Sequence, residues 1–321
     1  MAQHFLLSAK VRTLSLKGIY KAGEDAAYQT FCAIRWHETE GQAVCPRCGC
    51  TDSYAIPTRR RFKCVACSHQ YSVTSGTIFA SRKMAFVDLL AAICISVNAA
   101  KGVSMLQLSR DLDCQYKTAF VLAQKIREAL ASEVPGATVD GEVEVDGAYF
   151  GGHIRPENRK EDRKDRRLAR HPTGKRRVVI AVRQRGGRTP TFVRKSEAEG
   201  IEVVRATTAP TATVYADEAS HWDELALMFE RTGRINHSVA YSEGDGLHTN
   251  NVESYFSRLR RMVEGQHHHV SPRYLHQYAA EAAWKEDHRR ESNGELADRV
   301  LGLAMAHPVS RVWAGYWRKG E

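Results

Sequence analysis

The stretch GEVEVDGAYFGG, Gly141 to Gly152, decides how the second half of the chain is read. Its first half alternates: Val143 and Val145 fall on one side, and Glu142, Glu144 and Asp146 on the other. Period 2 indicates a strand with one buried face. Gly147 follows Asp146, so the strand is expected to end there. A carboxylate at a strand end can project into a cleft without being buried unpaired. Asp146 is therefore preferred over its rivals Glu142 and Glu144.

Two further acidic residues repeat this logic downstream. Asp217 closes the apolar run TATVYAD, with Glu218 and Asp223 as rivals that fall after the strand. Glu253, in HTNNVESYFSRLRR, sits early in a helical pattern, near the positive helix end where a carboxylate is favoured. There are 70 residues between Asp146 and Asp217 and 35 between Asp217 and Glu253. Carboxylates at strand ends joined by one on a helix can hold two divalent metal ions for phosphoryl transfer. Arg260 lies seven residues, two helical turns, beyond Glu253 and on the same face.

The surrounding segments predict a mixed α/β domain. RRVVIAVRQRGG and PTFVRK read as strands turned by Gly186-Gly187, and Ser196 to Arg205 as a short helix. HWDELALMFERT reads as an amphipathic helix, 238–241 as a short strand, and Asn250 to Val263 and Tyr274 to Arg290 as helices. Three strands, helix, strand, helix, strand, helix is an order compatible with an RNase-H-like fold. Between the first two strands lies a charged loop, 154–177, with 11 Lys/Arg against 4 Asp/Glu. Its Arg163, Lys164, Arg166 and Arg167 are candidate DNA contacts, and such contacts make binding steeply salt-dependent.

Upstream, Cys45-Pro-Arg-Cys48 and Cys64-Val-Ala-Cys67 are separated by 15 residues. Paired C-x2-C motifs at this spacing suit one structural, tetrahedral Zn2+ held by four thiolates. The surrounding sequence has too little apolar content to bury them as mere core, and Cys50 is a competing ligand. The intervening segment carries Arg59, Arg60 and Arg61, facing DNA on this reading. Cys32, Cys94 and Cys114 lie in helical contexts as core filler. Residues 101–130 have a helix-turn-helix rhythm. It turns at Leu112-Asp113-Cys114 and exposes Gln115, Tyr116, Lys117 and Thr118 at the start of the second helix, the end that faces bases in the major groove. Lys125 and Arg127 read as phosphate contacts. Val134-Pro135-Gly136 breaks the pattern and marks the main boundary. The expected divisions are 1–40 helical, 41–80 zinc ribbon, 81–134 helix-turn-helix, 138–291 catalytic and 292–321 a tail.

The chain has 321 residues and a formal charge of +10, which favours a polyanionic partner. Its longest apolar run, 87–100, is too short to cross a membrane and contains Asp88 and Asn98. The N-terminus lacks a signal pattern, so the protein is placed in the cytoplasm.

Taken together, CPRCG at 45–49, VDGAYFGG at 145–152, the aspartate of YADEAS, HTNNVESYFSRLRR at 248–261 and EGQHHHVSPRYLHQY at 264–278 resemble insertion-sequence transposases of the IS1595 type. These carry an ISXO2-like DDE domain behind a zinc ribbon. The family pattern has a lysine two turns after the third acidic residue, and Arg260 stands in its place, keeping the charge in a different geometry. The resemblance implies a bacterial, nucleoid-associated enzyme with Asp146, Asp217 and Glu253 as metal ligands for two Mg2+ (or Mn2+) ions. It implies hydrolytic nicking at terminal inverted repeats of double-stranded DNA, then strand transfer into target DNA by a homodimer or larger assembly, with no covalent protein–DNA intermediate. Two rivals are a domesticated, non-catalytic zinc-ribbon/helix-turn-helix regulator and a nuclease acting on RNA–DNA hybrids or junctions.

Overall fold

The computed structural model describes residues 5–134, 136–152, 154–155, 157–166, 168, 174–235, 242–243 and 246–318. Arg167 and the strand expected at 238–241 lie outside the described residues. The chain forms two units, Met1–Ser132 with Arg290–Glu321, and Glu133–Arg289.

The first unit begins with α1 (Leu16–Arg35), capped by Ser15 and broken at Gly23, where φ is +83°. A small antiparallel sheet follows, β1 (Ser53–Ile56), β2 (Arg61–Cys64) and β3 (Gln70–Tyr71). It has little apolar filling beyond Phe62 and Tyr71, whose rings lie 5.6 Å apart. Helices α2 (Phe86–Asn98), α3 (Met105–Asp111) and α4 (Tyr116–Ala131) complete the run. α2 buries Phe86, Leu89, Leu90, Ile93 and Cys94, which accounts for its continuous apolar sequence. Glu24 receives the Val87 N–H at 2.9 Å and so satisfies one of the free donors at the start of α2.

The second unit is built on a five-stranded sheet. Its strands are β4 (Glu142–Phe150), β7 (Arg177–Gln184), β8 (Thr191–Arg194), β9 (Thr213–Asp217) and β10 (Arg231–Ile235). The remaining short strands form two hairpins: β5 (Ile154–Arg155) with β6 (Lys164–Asp165), and β11 (Ser242–Glu243) with β12 (Leu247–His248). The spatial order is β10-β9-β4-β7-β8. β4 pairs antiparallel with β7 and β7 with β8, whereas β4–β9 and β9–β10 are parallel. One face carries Val143, Val145, Val178, Ile180, Val182, Val214 and Ala216. They pack against α5 (Gly200–Thr207) and the 3-10 turn Ser220–Leu227, through Ile201, Val204, Trp222 and Leu225. The opposite face is covered by α6 (Asn250–Arg260), its π-helical continuation Arg261–His267, and α7 (Leu275–Asp287). There Arg183 reaches Asp287 at 3.0 Å, and Glu286 receives Arg258 at 2.8 Å, with Arg183 and Glu286 buried.

Four expectations are corrected. β4 does not end at Gly147: it continues to Phe150 because the ladder with β7 runs on through Gly147↔Ile180 to Phe150↔Arg177. What ends at this point is the parallel ladder with β9, whose last pair is Val145↔Ala216. The segment from His221 forms a 3-10 turn rather than an amphipathic α-helix, and the next strand is β10, a polar edge strand in which only Ile235 is buried. Arg127, read as a phosphate contact, is 2 % exposed, with Nη1 3.8 Å from Met105 Sδ. The stretch 292–321 is no tail: α8 (Asn293–Ala306) opens with a Ser292/Glu295 capping box and buries Val300, Leu301, Ala304 and Met305 within the first unit.

Candidate active site

The β4–β9 register places two carboxylates side by side. Glu144 faces Tyr215 and Val145 faces Ala216, so Asp146 and Asp217 come next at the same height on neighbouring strands. Val143, Val145, Val214 and Ala216 occupy the apolar face. Alternation therefore puts Asp146 and Asp217 together on the other face, the one covered by α6. Asp146 Oδ1 accepts the Gly147 N–H at 2.7 Å, and Asp217 Oδ1 the Ala219 N–H at 3.1 Å. Burial pushes the Asp146 carboxyl up to about 7. The Gly147 N–H opposes this, the charges of Asp217 and Glu197 add to it, and Arg260 offsets part of it. An acid held near neutrality beside a second carboxylate is the electrostatic signature of a site that a divalent cation would relieve.

Glu253 lies in the first turn of α6, the helix that packs on this face. The first turn of α6 is anchored at Glu144, whose carboxylate accepts the backbone N–H groups of Asn251 and Val252 at 2.8 and 2.9 Å. Asp146 lies two residues along the strand from that anchor, about 6.6 Å. Glu253 lies at the anchored end of α6, and Arg260 about 10 Å further along the helix axis. Arg260 is close enough to lower the Asp146 carboxyl, so the far end of α6 also lies near Asp146. Glu253 Oε1 accepts from Thr249 at 3.3 Å. Among the described residues, the three acids do not form a ligand group with all atoms within 4.8 Å; the four-cysteine cluster does.

Three of the rival acids are otherwise engaged, and Glu218 is exposed. Glu144 is fully buried in ion pairs, Glu142 receives Arg185 at 3.1 Å, and Asp223 receives Arg234 at 2.8 Å. One residue that sequence reasoning missed borders the site. Glu197, at the turn leading into α5, leans over Gly147: a Cβ there would lie 3.0 Å from its Cγ and Oε1. Its carboxyl is raised by burial, an effect opposed by His221, whose Nε2 lies 3.6 Å away, and reinforced by Asp217. No local pattern marks Glu197, because its place depends on how α5 packs behind β4.

In the first unit, the four sulfurs of Cys45, Cys48, Cys64 and Cys67 lie within 4.8 Å of one another, with pairs at 3.4, 3.5 and 3.7 Å. Tetrahedral ZnS4 with Zn–S near 2.3 Å has S···S edges of about 3.8 Å, so the set fits zinc. Two equivalent turns bring this about. Gly49 N–H bonds Cys45 O, Ser68 N–H bonds Cys64 O, and both Gly49 and Ser68 have positive φ. Cys50 and His69 hold the same place in the two turns, each offering its carbonyl to the first cysteine N–H. Cys50 Sγ points to Asp52 O at 3.7 Å, away from the cluster. The backbone N–H of Cys67 draws the Cys64 thiol down to about 6, which favours the thiolate that metal binding needs.

Of the candidate nucleic-acid contacts, Gln115, Tyr116, Lys117 and Thr118 are exposed at the start of α4. Cys114 N–H bonds Ser109 O across the α3–α4 turn, and Asp113 takes positive φ there. Arg59 and Arg61 are exposed, but Arg60 is turned inward onto Glu24 at 2.7 Å and Asp25 at 2.5 Å. Lys164 lies in β6, with Arg163 and Arg166 flanking that strand, and Arg163 and Lys164 are exposed. No described helix is long and apolar enough to cross a membrane.

Residues 138–287 match the family model of the ISXO2-like transposase domain, and residues 22–70 that of the transposase zinc-ribbon domain. A protein of Halobacterium salinarum, described as an uncharacterized protein in transposable element ISH50, is 24 % identical over 294 residues. The alignment covers 88 % of this chain and 97 % of that one.

Proposed function

We propose, on the premise that the chain belongs to the IS1595 family of insertion-sequence transposases, that it is a DNA transposase. On this reading it nicks the ends of its own element and joins them to target DNA through Asp146, Asp217 and Glu253. The observation that carries this is the pairing of Asp146 and Asp217 at the end of the parallel β4–β9 ladder, with Asp146 pushed up to about 7. The sheet order also supports the reading. Three antiparallel strands are followed by two parallel ones, inserted on the far side of the first, as an RNase-H-like domain requires.

The residues divide the work by position. Asp146 and Asp217, fixed at one height by the sheet, would face the scissile phosphate, and Glu253 would close the set from α6. Two Mg2+ or Mn2+ ions, when bound, supply Lewis-acid stabilisation and lower the pKa of an attacking water or 3′-hydroxyl. Arg260 would hold a phosphate oxygen and offset part of the rise at Asp146. Tyr255 is fully buried and cannot act as a nucleophile, in keeping with direct attack by water or a 3′-hydroxyl. The zinc ribbon and the exposed start of α4 would bind the element ends, with Lys117 on phosphate and Gln115, Tyr116 and Thr118 toward base edges. Pairing two ends needs two active sites, so a dimer or larger assembly on DNA is expected.

The test is incubation of the purified protein with its element ends as duplex DNA and Mg2+, with Asp217→Ala as control. Nicked and strand-transferred products that vanish in the variant support the transposase. Tight, specific binding by the intact protein with no products favours a DNA-binding regulator instead.

A further inference from the structure

Glu144 is a carboxylate with no exposed surface, on the middle strand of the sheet, two residues before Asp146 and on the same face. It accepts five hydrogen bonds or ion pairs. Oε1 receives Arg185 Nε at 2.7 Å and Asn251 Nδ2 at 2.8 Å, and lies 3.1 Å from His248 Nδ1. Oε2 receives the backbone N–H groups of Asn251 and Val252 at 2.8 and 2.9 Å. Arg185 extends the network. It also donates to Glu142 and to the carbonyls of Gly246 and His248, and its guanidinium lies 4.4 Å from the Tyr215 ring centroid. One carboxylate thus joins β4, the strand beside it and the segment that opens α6.

A valine at this position would hold the helix against the sheet with less desolvation, as Val143 and Val145 do on the other face. Apolar contact, however, leaves a helix free to slide and to turn about its axis. Two successive N–H groups bonded to one oxygen fix both. They set the height of α6 on β4, and they set its phase. Val252 points into the core, and Glu253, the next residue, is carried about 100° round the helix from it. The same side chain is rigidly continuous, through two strand residues, with Asp146.

We propose that Glu144 is a positioning residue: a buried carboxylate that clamps the first turn of α6 so that Glu253 completes the metal set begun by Asp146 and Asp217. This rests on the transposase reading of that site. Glu144 touches neither DNA nor metal; it acts through Glu253. Glu144→Gln keeps the volume but puts an NH2 group among five donors, so the clamp loosens.

The experiment measures Mn2+ binding by titration calorimetry on the zinc-loaded full chain, alongside single-turnover nicking and element-end DNA affinity. Glu144→Gln is expected to weaken Mn2+ binding by about tenfold or more, in the range seen when partners of metal ligands are removed. DNA affinity should be unchanged, and nicking should recover in part at high Mn2+. In a Glu253→Ala background, Glu144→Gln should weaken Mn2+ binding no further. Asn251→Ala, which removes one of the five bonds, serves if Glu144→Gln fails to fold, and should show the same pattern in smaller degree.

Mn2+ affinity unchanged by either variant overturns the proposal. So does an equal loss with and without Glu253, which would mark Glu144 as general scaffolding. A wild-type protein that neither binds Mn2+ at this site nor nicks DNA overturns the transposase reading itself, an outcome visible without any variant.

Discussion

Asp146→Asn should stabilise the Mg2+-free protein at alkaline pH and do so much less at acid pH. The Asp146 carboxyl is raised from 3.8 to about 7 in the folded chain, chiefly by burial. An acid with a raised folded pKa contributes stability that is fully present below about pH 4 and is lost as pH rises through about 7. At one pKa unit per 1.36 kcal/mol, the raised pKa lowers stability by about 4 kcal/mol at pH 8, where the folded carboxyl is ionised, but by only about 2 kcal/mol at pH 5, where it stays protonated while the unfolded chain's ionises. Asparagine cannot ionise, yet its carbonyl can still accept the Gly147 N–H that Asp146 now accepts. The stability gap between variant and wild type should therefore widen by about 2–3 kcal/mol from pH 5 to pH 8. The assay is hydrogen exchange, read by mass spectrometry on the β7 peptide Arg177–Gln184, which pairs along β4 through Asp146↔Ala181. Zinc stays bound and no Mg2+ is added. Adding Mg2+ should protect the wild type at pH 8 and leave the variant unchanged. A gap that does not vary with pH would refute the reasoning, because it would mean that Asp146 ionises freely in the folded site.

Other predictions follow from the same contacts. Arg260 partly offsets the rise at Asp146; Arg260→Ala should move the pH midpoint of nicking upward, and Arg260→Lys should restore it, as read from single-turnover rates between pH 6 and 9. Gly147→Ala places a Cβ 3.0 Å from Glu197 and should lower stability by about 1–3 kcal/mol, measured by urea unfolding. Cys64→Ser should release the metal, counted as zinc per chain by atomic absorption, and abolish end binding while the Glu133–Arg289 unit keeps its exchange protection. Lys117→Ala should weaken binding across all sequences and reduce the salt slope by about one, measured by fluorescence anisotropy at several salt concentrations.

The sequence announces those parts of this protein whose chemistry is local. The four-cysteine spacing needs only two short turns to be read, and those turns form one cluster. Alternation along Glu142–Asp146 correctly separates the valines that join the apolar cluster from the acids on the opposite face, one of which, Glu144, is itself fully buried. It cannot separate Glu144 from Asp146, because what distinguishes them is the first turn of a helix, 107 residues away, which hydrogen-bonds Glu144. Glu197 is invisible for a similar reason: only the packing of α5 behind β4 brings it over Gly147. The strand RTGRI, Arg231–Ile235, carries one buried apolar residue, and edge position rather than pattern makes it a strand. α8 has a helical sequence and a capping box, but its membership of the first unit is a matter of tertiary contact.

The most direct test of the central claim is a crystal structure of the protein with an element-end duplex, grown with Mn2+ in place of Mg2+ and measured for anomalous scattering at the manganese edge. Two manganese peaks held by Asp146, Asp217 and Glu253 are expected beside the seated DNA end. Manganese absent from these three carboxylates, with the DNA end properly seated, would contradict it.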